Sequence, residues 1–220
     1  MNIQDTILFG FPIMNTNIDK KSYNKKSIIS TIEKNFKIGN QRNSWDKISV
    51  LHHAFNDWDN SKYHNVDFKT LIPIYKKILI TMFSKMDLLS DYYFNFLIDN
   101  YTCLSNSNFM QSHVHPGADF TAVHYIQFDK KNHTPTKLEN TLPYVDYIEQ
   151  IRPNLFKILS RKHSSNSWAF KDWSPDVKED DFYFYPAYLK HKIDPQISKN
   201  KNRITIVLNI VLLPKEKGKQ

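Results

Sequence analysis

Two histidines separated by one residue stand in Ser112-His113-Val114-His115-Pro116-Gly117, a spacing suited to gripping a metal ion. Side chains alternate along a strand with a period of two, so both imidazoles project from one face, and the Pro-Gly pair that follows is suited to a turn that ends the strand. A third imidazole, His191, follows an aromatic run, Tyr183-Phe184-Tyr185-Pro186, that reads as another strand. Arg203 comes next, at the start of the most apolar stretch of the chain, Ile204 to Leu213. Arg203 and Thr205 share a face of that strand, where a guanidinium and a hydroxyl can together clamp a carboxylate. Three imidazoles and one buried guanidinium describe a metal site with an anionic co-substrate.

Such residues need a scaffold that brings distant strands to one mouth. Tyr92 to Leu104, Phe109 to His115, Phe120 to Phe128, Trp168 to Trp173, Asp181 to Tyr185 and Ile204 to Leu213 are β-rich runs broken by Asn, Ser, Pro and Asp, and they read as strands. Ahead of them, Ser27 to Phe36 carries Ile28, Ile29, Ile32 and Phe36 at helical spacing. The clearest helix is Phe68 to Met86, with Asp67 as N-cap, Pro73 near the first turn, and a stripe of Leu71, Ile74, Tyr75, Ile78, Leu79, Met82 and Phe83. Thr6 to Met14 reads as an opening strand broken at Pro12, and Tyr147 to Leu159 as a helix interrupted at Pro153, while Trp45 to Trp58 is ambiguous. Short strands after a helical preface predict a mainly β fold with N-terminal helices, a sandwich or jelly roll with helices buttressing one sheet. The expected division is a mainly helical support region at 1–90 and a β core at 91–214, within a single domain spanning 1–220.

Composition narrows the functional classes. A chain of 220 residues with 40% hydrophobic and 14% aromatic content is globular, because disordered chains are poor in aromatics. No apolar run approaches the ~18 residues of a membrane span, so no membrane partner is expected. The opening Met1-Asn2-Ile3-Gln4-Asp5 lacks a basic region followed by an apolar one, and the single Cys103 cannot close an intramolecular disulfide; a cytoplasmic location is the expectation. The net charge of +8 invites a nucleic-acid partner. Yet the lysines scatter, Lys20, Lys21, Lys25, Lys26, Lys34 and Lys37 near the start and Lys199, Lys201, Lys215, Lys217 and Lys219 near the end, which favours a solvated face over a dedicated groove.

With these motifs in this order, the chain resembles the 2-oxoglutarate/iron(II)-dependent oxygenases, in the branch similar to prolyl hydroxylases and their phage and bacterial relatives. The resemblance covers roughly Asn100 to Leu213. It rests on His113-Val114-His115-Pro116-Gly117, Thr121-Ala122-Val123-His124-Tyr125-Ile126, Phe184-Tyr185-Pro186 up to His191, and Arg203-Ile204-Thr205 leading to Asn209. It implies a double-stranded β-helix (jelly roll) that binds Fe(2+), consumes O2 and 2-oxoglutarate, and releases succinate and CO2. The reaction implied is hydroxylation of an unactivated C–H bond in a small-molecule or peptidyl substrate, an amino-acid or prolyl side chain foremost. By position it implies that His113 and His191 hold iron, and that Arg203 pairs with the distal carboxylate of 2-oxoglutarate, assisted by Thr205 and Tyr125. At His115 most of the superfamily has Asp or Glu, although relatives in this branch often read HxHP. His115 is taken as the third ligand, with Asp119, just past the turn, as its alternative.

Two other classes compete. A cupin-like three-histidine dioxygenase suits the three imidazoles but leaves Arg203 without a task. A basic nucleic-acid-binding protein would show steep salt dependence and no iron requirement. The remaining histidines, His52, His53, His64, His133 and His163, are read as surface or core residues, and His124 as a packing residue on the face opposite Tyr125.

Overall fold

Residues 4–8, 11–38, 52–53, 63–140, 150–151, 154, 171–197 and 200–215 are described in a computed structural model of the chain. Helix α1 (Lys25–Ile38) buries Ile28, Ile32 and Asn35, and α2 (Leu71–Lys85) buries Leu71, Tyr75, Ile78, Leu79, Met82 and Phe83. Spacings of three and four residues align each set on one stripe, as expected from the periodicity. The cap differs from expectation. Thr70 occupies the N-cap without a side-chain capping bond, its hydroxyl donating instead to Asn24 Oδ1, and Asp67 accepts the Lys69 amide, shaping the turn ahead of the helix. Pro73 is the third helical residue, where its missing N–H forfeits no intrahelical bond. No helix among the described residues is long and apolar enough to cross a membrane.

The strands are β1 (Gln4–Leu8), β2 (Phe11–Asn17), β3 (His52–His53), β4 (Tyr92–Leu104), β5 (Met110–His113), β6 (Phe120–Gln127), β7 (Thr136–Glu139), β8 (Asp172–Trp173), β9 (Asp181–Pro186), β10 (His191–Ile193) and β11 (Arg203–Pro214). They form two antiparallel sheets, ordered β1-β2-β9-β6-β11-β4-β3 and β5-β10-β7-β8. From β5 onward the chain passes repeatedly between the sheets, which makes the architecture a double-stranded β-helix.

The central strands are buried on both faces, and alternate residues serve different layers. Ala122, Ile126, Phe182, Phe184, Ile204, Ile206, Leu208 and Ile210 pack in one cluster with the apolar stripes of α1 and α2. Their neighbours Val123, Tyr125, Tyr183 and Tyr185 join a second cluster with Leu138 and Leu189, on the side of the smaller sheet. Double-sided burial explains why β11 reads as a continuous apolar run. Phe83 of α2 anchors the layers, its ring centroid 5.0–5.5 Å from those of Phe94, Phe120 and Phe184. Burying one such side chain contributes about 1.5–3 kcal/mol. Polar residues interrupt the second face at Arg203, Thr205 and Asn209 on β11 and at Asn100 and Thr102 on β4, and that interruption positions the site.

His124 packs on the helix side, opposite Tyr125 as expected, with Nδ1 2.8 Å from the Tyr75 hydroxyl. Asp180 lies 3.9 Å from its Nε2, but Lys25 and Tyr23 already hold that carboxylate. Burial, reinforced by Lys25, therefore pulls the His124 pKa down to about 3. The unfolded chain takes up this proton near pH 6.5 and the folded chain does not, so stability present above pH 6.5 is lost as pH falls toward 3. Urea midpoints between pH 6 and 4 should show His124→Leu with an acid limb shallower by one proton, about 1.4 kcal/mol per pH unit. An unchanged slope would mean that the imidazole already titrates normally.

Several expectations need correction. The opening strand is two strands, β1 and β2, paired from Leu8↔Phe11 outward, and Pro12 lies inside β2. There it is tolerated because β9 pairs with β2 only from Met14 onward. The first ninety residues thus contribute strands to the larger sheet as well as helices. Strands β7 and β10 escaped the sequence reading because, at three or four residues, they are too short for alternation to register. Most of Trp45 to Trp58 and of Tyr147 to Leu159, together with Trp168 and His163, lies outside the described residues.

Candidate metal centre

Strands β5 and β10 are antiparallel neighbours with His113 directly opposite His191. His115 reaches the same place by another route. β5 ends at His113, so strand alternation does not carry through to His115 as expected; the chain crosses there to the larger sheet, and the His115 N–H donates to Ala187 O at 2.9 Å. The turn that follows has Pro116 then Gly117 at its centre and closes from Ala118 N–H to His115 O at 3.4 Å. Gly117 has φ +85°, the value a type II turn requires after a proline, and a side chain there would be strained.

One ligand atom from each of His113, His115 and His191 lies within 4.8 Å of the others. His115 Nε2 and His191 Nε2 are 3.3 Å apart. The Nδ1–H of His113 donates to Gln111 O at 2.8 Å, and that of His191 to Leu189 O at 2.9 Å. Each bond fixes the tautomer and leaves the Nε2 lone pair for a ligand. Burial holds all three imidazoles below their ordinary pKa, His113 at about 4, and its two neighbours lower His191 further. They are neutral at pH 7, the state in which imidazole binds metal.

Arg203 is fully buried. Its Nε donates to Thr134 O at 3.0 Å, Nη2 to Thr136 Oγ1 at 3.2 Å and Nη1 to Thr205 Oγ1 at 3.5 Å, while its Cζ lies 5.1 Å from the Tyr125 ring centroid. Among the described residues no carboxylate forms an ion pair with it. Burial lowers its pKa from the ordinary value, but a guanidinium stays charged in proteins. The Tyr185 hydroxyl is buried without a hydrogen-bond partner among the described residues, its ring 5.3 Å from that of His191 and within electrostatic reach of Arg203.

A cavity of about 150 Å³ opens over the imidazoles, lined also by Asn100, Thr102, Thr136, Thr205 and Asn209. The structure therefore gathers His113, His115 and His191, and beside them Arg203, Thr205 and Tyr125. Asp119 is not among them: its carboxylate accepts the Leu212 N–H at 2.7 Å and ties the crossing to β11. Sequence reasoning missed the part played by Tyr185, Thr136 and Asn100. An aromatic within an aromatic strand and a lone Thr or Asn carry no distinguishing spacing. His133, read as a surface or core residue, is buried: Nδ1 accepts the Asp129 N–H and Nε2 donates to Lys201 O.

Comparison with known proteins adds a family. Residues 101–209 match the family described as "Putative 2OG-Fe(II) oxygenase". No curated protein sequence matches the chain. Among solved structures, a prolyl-4-hydroxylase from Pseudomonas putida superposes with a TM-score of 0.52 at 6% identity, covering 95% of this chain and 91% of that one. A prolyl hydroxylase from Trichoplax adhaerens, solved in complex with a hypoxia inducible factor oxygen degradation domain peptide fragment, superposes with a TM-score of 0.54 at 13% identity, covering 92% and 83%. At these identities the likeness is one of fold, the double-stranded β-helix.

Proposed function

The chain belongs to the 2OG-Fe(II) oxygenases, enzymes that use Fe(II), 2-oxoglutarate and O2, and from that premise we propose that His113, His115 and His191 hold its iron while Arg203, Thr205 and Tyr125 receive the distal carboxylate of 2-oxoglutarate. In this reading residues 1–220 act as one oxygenase unit. Iron, when bound, supplies the activation of O2 that is coupled to oxidative decarboxylation of 2-oxoglutarate. The chain's own residues do the rest. The backbone carbonyls of Gln111 and Leu189 orient two imidazoles, Tyr185 adds a hydroxyl beside Arg203, and the apolar walls Val123, Val207 and Ile193 keep water from the reacting carbon.

The observation that carries this reading is the buried guanidinium of Arg203, which no carboxylate among the described residues pairs. An uncompensated buried charge costs several kcal/mol, a cost that an anionic co-substrate offsets. A three-histidine dioxygenase working without 2-oxoglutarate leaves that cost unexplained. A nucleic-acid partner would meet the scattered surface lysines and leave the buried guanidinium and the three imidazoles without a task. Two of the fold neighbours are prolyl hydroxylases, one of them with a peptide fragment bound, which supports an amino-acid or peptidyl substrate here; succinate and CO2 are the co-products this reading assigns. The test is Fe(II)-dependent formation of succinate from 2-oxoglutarate, followed by NMR. The reading requires turnover that stops when iron is chelated; none with Fe(II) and ascorbate present would reject it.

A further inference from the structure

Strand β4 carries an irregularity where it faces the cavity. Ile98 pairs with Leu208 and Asn100 with Val207, so Asp99 is an extra residue with no opposite number on β11. Such a bulge re-aims side chains, and here two consecutive residues, Asp99 and Asn100, both line the cavity wall, which regular alternation would forbid. Asn100 Nδ2 donates to Asp99 Oδ2 at 2.7 Å. A carboxylate only accepts, so this bond fixes the amide's orientation and commits its nitrogen. The other end of the amide is left over: Asn100 is 6% exposed, and its Oδ1 is buried without a donor among the described residues. Across the β4–β11 pair, the Asn209 side chain is directed at the His115 imidazole, and its Oδ1 has no full hydrogen bond among the described residues. One cavity wall therefore presents two carbonyl oxygens beside a carboxylate, that of Asn100 unmatched among the described residues. A buried carbonyl acceptor left unmet is unfavourable, and a ligand that donates to it relieves that cost.

Resting on the functional reading above, we infer that this wall selects the substrate: Asn100 Oδ1, oriented by Asp99 and joined by Asn209 Oδ1, receives a nitrogen bearing N–H donors, carried on an aliphatic stem that fits between Val114, Val123 and Val207. A group without N–H, such as a tertiary amide or an internal prolyl ring, leaves Asn100 Oδ1 unpaired and is disfavoured. Asp99 is a positioning residue, acting through the amide of Asn100.

Ligand-observed NMR titrations of the Mn(II)- and 2-oxoglutarate-loaded protein test this with n-butylamine, butyramide and N,N-dimethylbutyramide, and with the peptides Ac-Gly-Lys-Gly-NH2 and Ac-Gly-Nle-Gly-NH2. The inference requires the N–H-bearing member to bind at least about tenfold more tightly than its donor-free counterpart in at least one of the two series. The amine-to-amide ratio then tells a cationic donor from a neutral one, and the peptide-to-fragment ratio tells a polypeptide from a small molecule. Asn100→Val should erase the preference while leaving 2-oxoglutarate affinity unchanged, and Asp99→Ala should reduce it by letting the amide turn. Equal binding of the paired probes, absence of binding by every donor-bearing probe, or a preference that survives both substitutions overturns the inference. Binding of 2-oxoglutarate is measured in the same samples. If it fails, the functional reading falls and this inference with it, whereas normal 2-oxoglutarate binding without donor preference removes the inference alone.

Discussion

Replacing His191 with alanine should abolish tight metal binding and leave a folded protein. His191 is the most buried of the three imidazoles, stands opposite His113 on the adjacent strand, and is oriented by its own bond to Leu189 O. Without it, two imidazoles remain, one of them beyond the end of β5, and the three-sided arrangement is lost. Losing even an orienting partner of a ligand typically costs 10–100-fold in metal affinity, so loss of a ligand should exceed about a hundredfold. Calorimetric titration with Mn(II) measures this directly. His115→Asp should retain metal, because it restores the common two-histidine, one-carboxylate set. Asp119→Ala should leave Mn(II) affinity within about twofold while loosening β11, where it removes a bond to the Leu212 amide worth about 1 kcal/mol. Unchanged affinity in His191→Ala, or loss of metal in Asp119→Ala alone, would relocate the centre.

Arg203→Met should have opposite effects on the empty protein and on the ternary complex. A desolvated carboxylate that loses its charge-assisted partner weakens by about 2–5 kcal/mol, or roughly thirtyfold to several thousandfold in 2-oxoglutarate affinity. Mn(II) binding should be untouched. In the absence of 2-oxoglutarate the variant should be as stable as the parent or more so, because replacing a buried charge with an apolar side chain of similar reach removes its desolvation cost. Thermal melts of both proteins, with and without saturating Mn(II) and 2-oxoglutarate, read both effects. A variant strongly destabilised when empty yet still stabilised by 2-oxoglutarate would make Arg203 a structural residue.

The chemistry was more legible in the sequence than the geometry that delivers it. Both long helices, β4, β6, β9 and β11 follow from periodicity or from continuous apolar runs, because each is long enough for its pattern to register. The histidines, Arg203 and Thr205 stand out by type and spacing. The reason that His113 and His115 converge was not legible: strand alternation suggested it, whereas a crossing between sheets, pinned by Ala187 O and Asp119, provides it. Asp119 looked like a ligand because it is the nearest carboxylate in sequence, and its engagement by a backbone amide 93 positions away is a tertiary fact. The bulge at Asp99 has no sequence signature either, since it is defined only by the register of β4 against β11. Short strands and unmatched polar atoms belong to the fold and not to any local pattern.

The central claim is that one site holds metal and 2-oxoglutarate together. Calorimetry with Mn(II) and 2-oxoglutarate, separately and then in combination, is its most direct test. The imidazoles and Arg203 act on one ligand pair, so 2-oxoglutarate should bind weakly to the metal-free protein and at least about tenfold more tightly once Mn(II) is present. Equal affinity for 2-oxoglutarate with and without metal, or none in either state, would contradict it.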